Sequence, residues 1–236
     1  FIKLMIILLA GGFSSASTTL ASRLKKNLNV NNITFAAGSG VGHLNVKIRK
    51  KKLLKLKLKQ LLGKDILIDQ HFFPIKHNLE VLDSIFGLDN IKFIVTYRNI
   101  FDTIKNLLKR KETESAQFHM LRSNFYPTYE NFKSEKYEIN ILDVLVAINF
   151  YAMWFKIIDR EYIKNIELVS FEEITKDNDS VNKKLSRLFG NKVELDSNII
   201  ENVFPKKKYD LSPQLKELIV EYANSFTDVD FKKIGL

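Results

Sequence analysis

Five hydroxyl side chains and two glycines fall within one short stretch near the start of this chain. Gly11 and Gly12 come first, then Ser14, Ser15, Ser17, Thr18 and Thr19, with Ala16 among them. The apolar run Leu4–Ala10 precedes them, and a helical pattern follows. A strand that enters a glycine-rich turn and leaves as a helix presents backbone N–H groups with no intrahelical acceptor. They sit at the positive end of the helix dipole. Hydroxyls there add donors. The combination suits the oxygens of a phosphate or sulfate. The alternative is a serine-rich helix cap that holds no ligand.

Two further residues have chemistry to offer. His71 follows the apolar run Ile66–Asp69, and Arg98 follows IKFIVTY, Ile91–Tyr97. A neutral imidazole can take a proton from an alcohol or amine as it attacks. A planar guanidinium matches a pair of phosphate oxygens. Each has a plainer reading: an incidental loop histidine, and an arginine paired with Asp102 four residues on. Yet all three features leave the carboxyl ends of predicted buried strands, the edge where α/β folds gather ligands.

The elements that must position them are legible from periodicity. Leu4–Ala10 reads as a buried strand, and Thr18–Leu28 as a helix with Leu20, Ala21, Leu24 and Leu28 on one face. Ile33–Ala37 is a second strand, followed by the loop Gly38–Asn45. A basic helical segment is expected over 46–62, since Lys and Leu favour helix and no β-branched residue occurs from Lys50 to Gly63. Strands follow at Ile66–Asp69 and Ile91–Tyr97. Helices follow at His77–Phe86 and in RNIFDTIKNLLKR, the latter burying Ile104, Leu107 and Leu108. The stretch 111–136 reads as loop-rich, and Asn140–Ile158 as a long apolar helix. A late strand, Ile166–Ser170, precedes a helix over Asn178–Phe189. Ser212-Pro213 opens a last helix that buries Leu215, Leu218, Ile219 and Tyr222. Buried strands alternating with helices predict a three-layer α/β/α fold with a central, mostly parallel sheet, similar to P-loop folds, in a single domain over 1–236.

Composition narrows the chemistry. The chain has 236 residues, no cysteine and a net charge of +10. Disulfides and thiolate ligands are therefore excluded. The four histidines, His43, His71, His77 and His119, form no local ligand cluster. Between His43 and Lys64 there are nine Lys/Arg and no Asp/Glu, so most of the excess charge is local. That stretch reads as a solvated helix face or as a surface for an anionic partner such as an acidic glycan or a membrane. Nucleic acid ranks low, because no aromatics are interleaved for base stacking. Phe1–Ala10 is too short to span a bilayer and lacks the basic leader and cleavage site of a signal peptide. The expectation is a cytoplasmic protein, or a membrane-anchored one if an upstream segment was removed.

Gly12–Thr19 has the length of the phosphate loop GxxxxGK[ST], but Thr18 replaces the lysine and Ser17 the last glycine. An ordinary nucleoside triphosphatase is disfavoured. The ordered blocks instead resemble the sulfotransferases that use 3'-phosphoadenosine 5'-phosphosulfate, over most of the chain from Ile6 to about Phe226. The family's first block, Pro-Lys/Arg-Ser-Gly-Thr-Thr, reads here Ser14-Ser15-Ala16-Ser17-Thr18-Thr19. The threonines match; the proline, the basic residue and the glycine are replaced. The second, Lys-Thr-His-Leu-Pro after a strand, reads Asp69-Gln70-His71-Phe72-Phe73-Pro74. In the third, Arg98, Asn99 and Asp102 match, and Asn106 takes the place of a serine. Further on, Phe171-Glu172-Glu173 resembles Tyr-Glu-Asp, and Leu188-Phe189-Gly190 resembles Phe-Leu-Gly. Lys206, Lys207 and Lys208 stand where the family has a basic loop.

The resemblance implies in-line sulfuryl transfer from the nucleotide to a hydroxyl or amine of a small-molecule, glycan or lipid acceptor. It implies His71 as base, the 14–19 loop at the 5'-phosphosulfate, and Arg98, Asn106 and Lys206–Lys208 at the 3'-phosphate. No metal is required by this scheme. The departure is Ser15, where the family has a cation. One lost charge-assisted hydrogen bond amounts to about 1–3 kcal/mol, or roughly tenfold to a hundredfold in rate. Lys76 or the Lys50–Lys59 patch would have to supply the charge. The alternatives are a nucleotide or small-molecule kinase, and a catalytically impaired binding protein for an anionic ligand.

Overall fold

Leucine and β-branched residues in an unbroken run make a strand buried on both faces. Strand β1 (Ile6–Gly11) is built this way: Ile6 through Ala10 are at most 3% exposed, at odd and even positions alike. The computed structural model describes residues 5–11, 16–28, 30–34, 65–69, 76–112, 148, 163–196, 211–225 and 231–234. In it β1 is the central strand of a five-stranded sheet. The others are β2 (Val30–Thr34), β3 (Asp65–Asp69), β4 (Ile91–Tyr97) and β5 (Ile166–Ser170), in the order β2-β3-β1-β4-β5. Every pairing is parallel.

Parallel neighbours need crossovers, and helices supply them. Helix α1 (Ser17–Asn27) follows β1, α2 (Lys76–Phe86) follows β3, and α3 (Ile100–Glu112) follows β4. After β5 come α4 (Phe171–Lys176) and α5 (Asn178–Phe189); α6 (Pro213–Asn224) lies near the end. The chain moves from β1 toward the β2 edge, but from β3 and β4 toward the β5 edge. Right-handed crossovers therefore assign α1 to one face and α2 and α3 to the other. The outcome is the three-layer α/β/α fold with a parallel sheet that the alternation of elements predicts.

The core on the α1 face is continuous. Ile7, Leu9, Leu67, Ile94 and Val169 of the sheet pack with Leu20, Ala21 and Leu24 of α1, Ile174 of α4, and Val181, Leu185 and Leu188 of α5. The intervening strand positions, among them Leu8, Ile66, Ile68, Phe93 and Val95, are equally buried and point the other way. One charged residue interrupts the apolar stripe of α1. Arg23 is only 5% exposed, and its Nη1 donates to the Ile174 carbonyl at 3.2 Å. Burial pulls this guanidinium below its usual pKa, against the opposing charge of Asp196. Arg23 thus ties α1 to the last turn of α4.

Several local signals are realised. The Ser212 hydroxyl accepts from the Leu215 N–H at 3.2 Å, with Pro213 in the first turn. Gly190 closes α5 at φ +75°, a conformation that costs glycine nothing. Other expectations shift. The second strand begins at Val30, three residues before the expected start at Ile33, with Val30 opposite Asp65 and Thr34 opposite Asp69; 35–37 lie outside the described residues. Pairing with β3 outweighs the poor strand propensity of Asn31 and Asn32. Helix α3 continues to Glu112, two residues into the stretch expected as loop. On α6 Ile219 and Ala223 are buried, whereas Leu215, Leu218 and Tyr222 are half-buried. The basic segment 46–62, residues 113–136 and most of the Asn140–Ile158 helix lie outside the described residues. Ile148 within that helix is helical and buried. Among the described residues no helix is long and apolar enough to cross a membrane.

Helix α4 was not expected, being too short to show a period. Its start is fixed by a capping box. The Glu173 N–H donates to the Ser170 hydroxyl at 3.1 Å, and the Ser170 N–H donates to Glu173 Oε2 at 2.8 Å. Ser180 Oγ donates to Oε1 at 2.5 Å, and Lys184 Nζ lies 2.7 Å from the same oxygen. Burial alone would raise the Glu173 pKa; the bonds from Lys184, Ser180 and the Ser170 N–H outweigh it and hold the carboxyl below its usual value. A carboxyl with a depressed folded pKa adds stability above its unfolded pKa, near 4.3. That stability is lost as pH falls through the folded value. Glu173→Gln should therefore cost on the order of 1–3 kcal/mol at neutral pH. The gap to the wild type should narrow as pH falls below the unfolded value and through the folded one, as urea denaturation at several pH values would show. A gap that does not change with pH would contradict the charged network.

Candidate functional site

The register of the sheet brings the strand exits to one edge. Gly11 at the end of β1 lies opposite Thr96, and Tyr97 at the end of β4 lies opposite Ser170. Asp69 of β3 lies opposite Leu9 and Thr34. The connections from β1 and β4 leave in opposite directions, so the switch point of this α/β sheet falls between those two strands. Ligands in open α/β sheets bind outside that point.

Helix α1 begins a short way past β1 and turns its N-terminus to this edge. Its N-cap is Ala16, at φ 61° and ψ 21°, the one non-glycine residue with positive φ among the described residues. Alanine has no side chain with which to cap, and the first turn holds no acidic residue. The first intrahelical bond runs from the Leu20 N–H to the Ala16 carbonyl at 3.0 Å. The N–H groups of Ser17, Thr18 and Thr19 precede it and have no acceptor within the helix. Thr18 is exposed, and Ser17 and Thr19 are half-exposed. A left-handed alanine costs about 1–2 kcal/mol. Its methyl is partly repaid by packing against the core below. Strain of this kind collects at binding turns, where successive N–H groups form anion-binding concavities.

Arg98 is the first residue after β4. Asn99 caps α3: its Oδ1 accepts from the Phe101 N–H at 2.9 Å, and its carbonyl accepts from the Thr103 N–H at 3.0 Å. The match at Asn99 is thus accounted for by helix capping. The expected ion pair is present but long, with Arg98 Nη2 at 3.7 Å from Asp102 Oδ2. That carboxylate is shared with Lys105 Nζ at 3.8 Å. Neither contact is a hydrogen bond by distance. A shorter contact comes from an element that sequence reading left out. The Arg98 Cζ stands 4.1 Å from the centre of the Phe171 ring, at the head of α4. Asn106 is half-buried one turn beyond Asp102, on the same side of α3. Beside Arg98, burial and the charges of Glu173 and Glu172 raise the Tyr97 pKa, so its phenol stays protonated.

The structure therefore gathers Ala16, Ser17, Thr18, Thr19 and Arg98 at adjacent strand exits, with Asn106 further along α3. Ser14, Ser15, His71 and Lys206–Lys208 lie outside the described residues, though β3 delivers the chain to the same edge two residues before His71. Among the described residues no three His, Asp or Glu side chains group as metal ligands. Sequence reading placed Phe171 in a family block without its contact to Arg98, and Ala16 in the loop without its left-handed conformation. The signal for Phe171 was its place immediately after a strand, mirroring Arg98; nothing in the residue type of Ala16 announces a positive φ.

No family model matches this chain, and no curated protein matches it. A solved structure titled "Crystal structure of APE1195" is similar at 16% identity, over 64% of this chain and 94% of its own, with a TM-score of 0.33. That similarity is too slight to carry an argument.

The left-handed cap can be checked directly. Ala16→Gly should change stability by less than about 1 kcal/mol, since relief of the backbone offsets the lost methyl contact. Ala16→Val places a β-branched residue at positive φ and should cost about 1–2 kcal/mol more. Urea denaturation distinguishes the two. A valine variant as stable as the wild type would mean that the cap is not left-handed in solution.

Proposed function

We propose that the chain is a sulfotransferase that takes the sulfuryl group of 3'-phosphoadenosine 5'-phosphosulfate and passes it to a hydroxyl or amine. The observation that carries this reading is the pairing, on neighbouring strands, of two features suited to an anion. A helix N-terminus whose N-cap is an alanine follows β1, and an arginine follows β4. A nucleotide with phosphate at both ends of its ribose has use for both.

In this reading the N–H groups of Ser17, Thr18 and Thr19, with their hydroxyls and those of Ser14 and Ser15, hold the 5'-phosphosulfate. They stabilise charge on the bridging oxygen as the bond to sulfur breaks. Arg98 holds the 3'-phosphate, with Asn106 as a hydrogen-bond donor and Lys206–Lys208 adding charge. His71 removes the acceptor's proton as the new bond to sulfur forms. No step asks for a metal. One observation favours a second reading. Ser15 stands where the family carries a cation, and a protein that binds the nucleotide without turning it over would also look like this.

Calorimetry with 3'-phosphoadenosine 5'-phosphate tests the donor site, with ATP and 5'-AMP as controls and no metal added. The 3'-phosphate compound should bind tightest, and Arg98→Ala should weaken it about tenfold to a hundredfold. No preference over the controls would overturn the reading, and tight ATP binding that needs magnesium would favour a kinase instead. With an acceptor in hand, His71→Ala should abolish turnover and leave nucleotide binding intact. Binding without turnover on a broad acceptor panel would favour the impaired protein.

A further inference from the structure

Arg98 has a neighbour that the proposed chemistry does not use. We infer that Phe171 is a positioning residue, an aromatic shelf that sets the orientation of the Arg98 guanidinium for an incoming anion. The inference rests on the reading that Arg98 holds the 3'-phosphate.

The sheet itself produces the contact. Tyr97 and Ser170 are register partners on β4 and β5, so the next residue of each strand, Arg98 and Phe171, leaves the sheet side by side. The guanidinium carbon lies 4.1 Å from the ring centre, well inside the range of a cation–π contact. Such a contact draws on the ring's π-electrons. It consumes none of the five N–H donors that a phosphate would need. The ion pair to Asp102 is long by comparison: its carboxylate stands off at 3.7 Å and divides its charge with Lys105.

The shelf is also held at both ends of its helix. The Ser170–Glu173 capping box fixes the first turn of α4, where Phe171 begins. Lys184 and Ser180 of α5 hold the Glu173 carboxylate. At the other end, Arg23 reaches from the interior of α1 to the Ile174 carbonyl. The helix that carries the 5'-side donors and the ring that orients the 3'-side cation therefore meet through one short, clamped segment. A rigid support of this kind lowers the entropy lost when a long side chain is fixed on a ligand.

The test compares the wild type, Phe171→Leu and Phe171→Tyr as full chains, titrated with 3'-phosphoadenosine 5'-phosphate and with 5'-AMP. Phe171→Leu should bind the 3'-phosphate compound about threefold to tenfold more weakly, with 5'-AMP unchanged, and Phe171→Tyr should restore the wild-type value. Unchanged 3'-phosphate affinity in Phe171→Leu would overturn the inference, and so would an equal loss for both nucleotides, which marks a general structural defect. If the wild type does not distinguish the two nucleotides, the sulfotransferase reading falls. The shelf is then judged on the NMR signal of the Arg98 Nε–Hε group. A ring-shifted resonance lost in Phe171→Leu and regained in Phe171→Tyr supports it. A resonance that does not move overturns it.

Discussion

The structure depends on β1 being paired on both sides. A strand with Ile6–Ala10 all buried has no solvated face to spare, and its backbone polar groups need partners. β3 and β4 supply those partners in parallel, from Ile6 opposite both Ile66 and Ile91 onward. Everything at the carboxyl edge inherits its position from this ladder. Gly11 ends beside Thr96, so whatever follows β1 and whatever follows β4 must emerge together. The meeting of a helix N-terminus and an arginine is thus a property of the register before it is a property of either loop.

The second constraint is the anchoring of α4. Six residues are too few for a helix to persist by its own propensity. It persists because Ser170 and Glu173 cap each other, because Lys184 and Ser180 satisfy the carboxylate, and because Arg23 takes a carbonyl from its last turn. Arg23 is instructive here. A buried cation is a poor stabiliser in itself, and an apolar residue would suit the stripe of α1 better. Its long side chain does what none of those could, which is to reach across and end another helix.

How much of this was legible in the sequence follows from the range of each interaction. Local, strongly patterned elements were readable: β4, β5 and α5 lie where periodicity put them, and Ser212-Pro213 announced α6. The parallel sheet followed from uninterrupted apolar strands. What depended on distant partners was not readable. β2 begins where β3 draws it, ahead of the residues that favour a strand by themselves. Arg23 is buried, although its residue type reads as solvent-facing. Of the site, Ser17–Thr19 and Arg98 were readable because the chemistry was in the residue type. The contact of Phe171 with Arg98 was not, because the neighbour of an aromatic residue after a strand is known only once the sheet order is known.

The sheet's connectivity also bears on how the protein is made. β1 leaves the ribosome before either of its two partners, which begin only at Asp65 and Ile91. Until those arrive, an unbroken apolar segment has no ladder to join. Nascent chains with such delayed, non-local pairing fold slowly and expose sticky surface while they wait. The order of synthesis and the order of the sheet are at odds. The burial that makes β1 the most secure part of the finished molecule makes it the part most in need of shelter during translation.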